Sequence, residues 1–141
     1  MLRYVFPIVL IVMSNIVYHV CQKSTPQNVN PFSALLISYL TAAILMGIAG
    51  PFYKTDKRFL QSFSEVHWTS IALGVAIVGL ELGYLLAYRA GWNISVGSLV
   101  ANIILAIMLI PLGILFFKEG FAFNQIIGVV FCLVGLILIN K

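Results

Sequence analysis

A glutamate lies in the middle of a long apolar stretch, VGLELGYLLAYRAGW, which runs from Val78 to Trp92. Tyr84 and Tyr88 follow Glu81 by three and seven residues, so a helix would place all three side chains on one face. A carboxyl group beside two tyrosine rings forms a polar and aromatic wall, which suits a cationic or aromatic solute. The alternative is an acid that only hydrogen-bonds a neighbouring helix.

The composition is that of an integral membrane protein. Of the 141 residues, 62% are hydrophobic and 9% are charged, and the mean hydropathy is +1.08. A soluble domain carries about 25% charged residues, and several apolar runs here approach the roughly 20 residues that span a bilayer core. The net charge of +4 comes from basic residues that stand singly at the ends of apolar runs. No basic stripe for nucleic acid is present.

The residue types that enzymes use do not cluster in this sequence. Cys21 and Cys132 lie in or beside apolar segments, without a CxxC partner or nearby metal ligands. The sequence has no nucleophile–base pair and no glycine-rich loop for a phosphate group. We therefore predict a protein that is not an enzyme and that uses no metal or cofactor.

Apolar runs and turn-forming stretches predict an all-α integral membrane fold with five transmembrane helices. The predicted helices are residues 4–20, 32–52, 68–90, 95–117 and 125–139, within a single domain of residues 1–141. A short interfacial helix that carries Phe59, Leu60 and Phe63 is predicted between the second and the third. Pro111 is expected to bend or break the fourth.

An odd number of helices puts the two termini on opposite sides of the membrane. The basic residues then divide into five on the N-terminal side and three on the other: Arg3, Lys54, Lys57, Arg58 and Lys118 against Lys23, Arg89 and Lys141. This excess favours a cytoplasmic N-terminus, and it is small enough to permit insertion in both orientations. We expect a multi-pass protein of the plasma membrane, which is the inner membrane of a bacterium.

Glu81 is predicted to lie near the middle of the bilayer. It is 13 residues from Trp68 and 11 from Trp92, so each interface is roughly 16–20 Å away. A carboxylate at that depth costs about 3 kcal/mol, and intramembrane acids are functional by default. We therefore predict that Glu81 binds the solute and couples its movement to protons. Arg89, two turns away, is expected to extend to the lipid headgroups.

Other polar side chains can complete a site around Glu81. Asn15, Tyr39 and Asn102 are candidates for contact with the solute, and an interhelical hydrogen bond explains them equally well. His19 is interpreted as an interfacial histidine rather than a proton relay.

Two further sets of residues point to helix packing. Interhelical hydrogen bonds are the preferred interpretation of Ser38, Thr41 and Ser98. Gly128 and Gly135 lie seven residues apart on one face of the last helix, and small residues let helix backbones approach closely. The contact that these glycines make can lie within one chain or between two.

A longer pattern of residues runs from Gly83 to Glu119 and on through residues 125–139. It combines a helix that ends in "Y…A", a short turn, a long apolar helix with a glutamate after it, and "Q-x-I-G" in the last helix. The residues that carry the pattern are Tyr88, Ala90, Glu119, Gln125, Ile127, Gly128 and Gly135. The pattern resembles the EamA-type domain of the drug/metabolite transporter superfamily, and residues 30–43 look like the second helix of that family.

The resemblance implies a half-size transporter unit. Typical members carry two such domains that are inverted with respect to each other, so a single domain implies a homodimer, antiparallel if insertion occurs in both orientations. The related small multidrug resistance proteins carry an essential glutamate in their first helix, where this chain has no acid. Glu81 therefore does not correspond by position to their coupling residue.

These observations lead to two hypotheses about function. The first is secondary transport of a small organic solute, such as an amine, an aromatic cation or an amino-acid-like metabolite. The second is a non-transporting membrane subunit that packs against a partner transporter through its glycine faces. A carboxyl group at the midplane favours the first, because a packing subunit has little need of one.

Overall fold

The computed structural model describes residues 2–53, 59–118, 120 and 123–139, and all regular structure in them is helical. Two 3-10 turns, Gly50–Phe52 and Phe63–Glu65, lie on either side of a one-turn helix. The helices are α1 (Leu2–Ser24), α2 (Pro31–Ala49), α3 (Phe59–Ser62), α4 (Trp68–Arg89), α5 (Ile94–Phe117) and α6 (Phe123–Ile139).

Four of the described helices are long and apolar enough to cross a bilayer. Their spans are Tyr4–Ser24, Pro31–Phe52, Trp68–Arg89 and Ile94–Phe117. The last helix, α6, has 17 residues, which is at the lower end of the roughly 17–25 that a spanning helix needs. The predicted all-α membrane fold is confirmed to this extent, and a fifth span remains a prediction.

Half of the eight basic residues that set the predicted orientation lie outside the described part of the chain. Lys54, Lys57, Arg58 and Lys141 are outside it, and so is Glu119 of the family pattern. The cytoplasmic N-terminus therefore remains a prediction.

The chain divides into two compact units, Met1–Ala90 and Gly91–Lys141. In the first unit α4 packs against both α1 and α2, and in the second α5 packs against α6. The most deeply buried apolar side chains of the first unit include Leu85 and Tyr88 in α4 and Leu35 in α2. The core of this unit is therefore built around the C-terminal half of α4.

Local signals explain where α2 begins and ends. Asn30 caps its N-terminus, because the side-chain oxygen accepts a hydrogen bond of 2.9 Å from the Phe32 backbone N–H, and Pro31 occupies the first helical position. At the other end the Phe59 ring lies against Gly50, where a Cβ atom would overlap it. The Phe59 and Phe63 rings meet edge to face at 5.2 Å. The predicted interfacial segment is thus a helical turn followed by a 3-10 turn.

One helix runs further than the sequence predicts, and another is continuous where a bend or break was predicted. Helix α1 ends at Ser24 instead of Val20, because Gln22 and Lys23 find hydrogen-bond partners in α4. Helix α5 continues through Pro111 to Phe117. The predicted turn between α4 and α5 is present at Gly91, whose φ of 101° lies in the region that favours glycine.

Candidate functional site

Polar and aromatic side chains of the first unit gather in one place, which we call the tyrosine–glutamate cluster. Their spacings of three or four residues put them on one face of each helix. The cluster comprises Tyr18, His19 and Gln22 from α1, Tyr39 from α2, and Glu81, Tyr84 and Tyr88 from α4. Three of its members, Glu81, Tyr84 and Tyr88, form the wall predicted from the sequence.

The centre of the cluster is a hydrogen bond between α1 and α4. His19 Nδ1 and the Tyr88 hydroxyl are 2.9 Å apart, and the two residues are only 8% and 3% exposed. The His19 ring also meets the rings of Tyr84 at 4.8 Å and Tyr18 at 5.1 Å, both edge to face. The rings therefore fill the space between the helices. Because the Tyr88 hydroxyl already has a partner, Tyr88 is better placed to position its neighbours than to contact a solute.

Gln22 is a buried member of the cluster that the sequence did not indicate. It is 8% exposed, and its side-chain amide donates to the Tyr18 hydroxyl at 3.2 Å and to the Glu81 backbone carbonyl at 3.4 Å. One amide thereby ties α1 to the turn of α4 that carries Glu81. The spacing of four residues from Tyr18 was the only signal that could have identified it.

Glu81 and Tyr39 form the part of the cluster with unused hydrogen-bonding capacity. Glu81 is half-buried. The Tyr39 hydroxyl is buried and makes no hydrogen bond within the described part of the chain. The Glu81 carboxyl is close enough to interact with this hydroxyl. A buried hydroxyl without a hydrogen-bond partner costs about 1–3 kcal/mol of stability. The space beside Tyr39 and Glu81 therefore favours a ligand group that can hydrogen-bond the Tyr39 hydroxyl.

The sequence pattern of the EamA-like transporter family matches residues 2–141. The chain belongs to the EamA-like transporter family. The match covers nearly the whole sequence, so the predicted resemblance is confirmed, and the chain is a multi-pass membrane protein of a family that transports small solutes. No curated protein and no solved structure matches the chain.

Basic residues of this EamA-like chain fasten the end of α4 to α1 and to the loop that follows α1. One terminal nitrogen of Arg89 donates to the carbonyls of Pro26 at 3.0 Å and Val29 at 2.7 Å. Lys23 Nζ donates to the Tyr88 carbonyl at 3.2 Å. The guanidinium of Arg89 therefore bonds to the loop, and contact of Arg89 with the lipid headgroups remains a prediction.

Arg89→Gln should destabilise the protein by about 2 kcal/mol, because hydrogen bonds to a charged group contribute about 1.5–3 kcal/mol. Thermal unfolding in bilayer nanodiscs measures the effect. Lys118→Gln is the control, since it removes the same charge from an exposed side chain. An equal loss of stability in both variants would attribute the effect to net charge and not to the loop carbonyls.

Asn15 lies beside the cluster on an open depression of α1. The depression has a volume of about 440 Å³ and is lined by Leu10, Ile11, Ser14, Asn15 and Tyr18. Tyr18 belongs to both the depression and the tyrosine–glutamate cluster, so the depression continues from the cluster along α1. Asn102 is exposed on α5 in the second unit, and its contact with a solute remains a prediction.

The interpretation of three hydroxyl side chains is corrected by the structure of the EamA-like chain. The hydroxyls of Ser38, Thr41 and Ser98 bond to carbonyls four residues earlier in their own helices, at 3.2, 2.9 and 2.8 Å. The predicted interhelical bonds are therefore wrong, because a hydroxyl can satisfy itself locally. Tyrosine rings of α4 bury His19, and its position at the membrane interface remains a prediction.

The glycine face of α6 is open in the described chain. A Cβ atom built on Gly128 or Gly135 would meet no described atom within 4 Å. Their role in packing therefore remains a prediction. Among the described residues no group of three His, Cys, Asp or Glu side chains could hold a metal ion.

Proposed function

We propose that this chain is a secondary transporter of a small organic cation, which binds at Glu81 in exchange for protons. The observation that carries this proposal is the half-buried carboxyl of Glu81 beside the unbonded Tyr39 hydroxyl, within a predicted membrane span. An ammonium group can pair with the carboxylate and donate to the phenol oxygen, while its organic part lies against tyrosine faces. Amines, aromatic cations and amino-acid-like metabolites have this chemistry.

Exchange follows from the chemistry of a single carboxyl group. Glu81 can hold a proton or pair with a cation, and the membrane disfavours a carboxylate that has neither. A cation that binds therefore displaces the proton, and a proton that returns releases the cation. This competition supports proton-coupled transport without a second acid in the cluster.

We further propose that the transporter acts as a homodimer, with antiparallel subunits. Transporters with inverted repeats hold their solute between two halves near the midplane. The open depression beside Asn15 and Tyr18 and the uncovered face at Gly128 and Gly135 are compatible with a second subunit. Tyr84 and Asn15 are proposed to contact the solute together with Glu81, and contact of Asn102 in α5 with a solute is proposed separately.

Proton release on solute binding tests the proposed exchange. The purified protein in weakly buffered detergent is mixed with a panel of amines, aromatic cations and amino acids, and the pH is recorded. A solute that binds should release a proton, and light scattering should give the mass of a dimer. No proton release with any solute, together with obligate co-purification of a different membrane protein, would favour the packing subunit instead.

A further inference from the structure

The polar side chains of the first unit lie on one side of Glu81. Residues 5–13 of α1, 42–49 of α2 and 71–80 of α4 contain no side-chain oxygen or nitrogen. Because α2 runs back from the end of α1, and α4 ends beside the loop that joins them, these three segments lie on the same side of Glu81. They form a purely apolar layer between the glutamate and the face of the membrane where α4 begins.

This apolar layer is too thick for proton transfer without water. The ten residues from Ile71 to Leu80 cover about 15 Å of helix, which is about half of the hydrocarbon core. A proton or cation crossing it would meet no hydrogen-bonding side chain from α1, α2 or α4. In this unit Glu81 therefore has no path of polar side chains to that face.

The opposite side of Glu81 is filled by the tyrosine–glutamate cluster. From Glu81 toward the loop, the titratable side chains on the packed helices are Tyr18 and His19 of α1, Tyr39 of α2, and Tyr84 and Tyr88 of α4. Beyond them Lys23 reaches the Tyr88 carbonyl near the end of α4. Polar groups therefore extend from Glu81 to the α1–α2 loop.

A buried side-chain hydrogen bond lies at the centre of this polar layer. The bond of 2.9 Å between His19 Nδ1 and the Tyr88 hydroxyl joins a side chain of α1 to a side chain of α4, whereas Gln22 and Lys23 of α1 donate to backbone carbonyls of α4. The rings of Tyr18 and Tyr84 pack against it without such a bond between them. Separation of His19 from Tyr88 would open the space between these rings.

We propose that water and protons reach Glu81 of this unit from one membrane face only, the face of the α1–α2 loop, and that the His19–Tyr88 hydrogen bond keeps this entrance closed. His19 and Tyr88 are positioning residues in this scheme, since Glu81 alone exchanges the proton. The inference rests on the proposed function, because it concerns access to the same carboxyl group. In an antiparallel dimer, each subunit would then exchange protons with one face of the membrane, and the inverted subunit would exchange protons with the opposite face.

Chemical modification of Glu81 from a defined side tests the inference without transport. Replacing Asp56, Glu65 and Glu119 by the corresponding amides leaves Glu81 as the single side-chain carboxyl. Both native cysteines are replaced by serine, and Asn28→Cys then introduces a single thiol in the α1–α2 loop as a reporter. Vesicles are treated with an impermeant maleimide, which marks molecules whose loop faces outward. An impermeant carbodiimide with an amine is then added outside, and both adducts are read on the same intact molecule by mass.

The expected result is a Glu81 adduct on molecules that carry the maleimide and none on molecules that lack it. Adducts on both populations, or only on unmarked molecules, would overturn the one-sided entrance. Failure of Glu81 to react from either side, while a permeant carbodiimide modifies it, would overturn it as well. The proposed transport can fail while this result holds, because modification requires only access to the carboxyl.

The closure by His19 and Tyr88 is tested by the rate of the same modification. Tyr88→Phe keeps the ring and removes the hydrogen bond, so the rate should rise about fivefold. Tyr53→Phe is the control, because it removes the same hydroxyl from a residue that is 78% exposed and lies outside the tyrosine–glutamate cluster. If Tyr88→Phe does not reach the membrane, His19→Leu removes the same bond. Equal rates in the parent and in these variants would rule out closure by this bond.

Discussion

Glu81→Gln is expected to abolish proton release on solute binding and to weaken binding of a cation by roughly 10- to 150-fold. The amide has nearly the same shape as the carboxyl group but carries neither a titratable proton nor a charge. Hydrogen bonds to charged groups contribute about 1.5–3 kcal/mol, which converts to that range of affinity. Titration calorimetry in buffers of different ionisation enthalpy measures the affinity and the released proton together.

The dependence of affinity on pH separates this role from a structural one. A cation that competes with a proton binds more tightly as the pH rises, and the dependence should disappear in Glu81→Gln. Glu65→Gln is the control, since Glu65 lies in the 3-10 turn after α3 and outside the cluster. Unchanged affinity and pH dependence in Glu81→Gln would mean that Glu81 only bonds to a neighbouring helix.

Leu85→Ala is expected to cause the largest loss of stability among single apolar substitutions in the first unit. Leu85 is 1% exposed, the lowest value among the buried side chains described in the first unit, and it lies on the same face of α4 as Glu81 and Tyr88. Truncation of a buried leucine costs about 2–5 kcal/mol in soluble proteins. The lower end, about 2 kcal/mol, applies here, because lipid replaces water around the separated helices and only packing is lost.

The adjacent residue provides a matched control for this prediction. Leu86 is 50% exposed and points away from the core, so Leu86→Ala removes the same atoms from a lipid-facing position. Unfolding by a denaturing detergent in mixed micelles compares the two. Similar losses for both variants would contradict a core built on the Leu85 face of α4.

The positions of the helices could be predicted because the bilayer enforces long apolar runs and turn residues interrupt them. Helix α2 begins at Pro31, one residue before the predicted start, and ends at Ala49, three residues before the predicted end. The end of α1 could not be located, because polar residues usually end a span. Gln22 and Lys23 instead continue the helix and bond to α4, and such partners are distant in sequence.

The candidate site could be predicted only along a single helix. The spacing of Glu81, Tyr84 and Tyr88 is visible in the sequence, and the structure has these residues on the packed face of α4. Which residues of α1 oppose them depends on the crossing of two helices, which periodicity does not encode. His19 and Gln22 could therefore not be identified as the partners of α4.

The attachment of Arg89 to the carbonyls of Pro26 and Val29 has a mechanical consequence. A rotation or tilt at the C-terminal end of α4 must move residues 26–29 as well, since the Arg89 guanidinium hydrogen-bonds this segment at two carbonyls. A fluorophore or spin label on this exposed segment would therefore report movements of α4, the helix that carries Glu81. Rearrangements deep in the bilayer could then be followed from a water-accessible position.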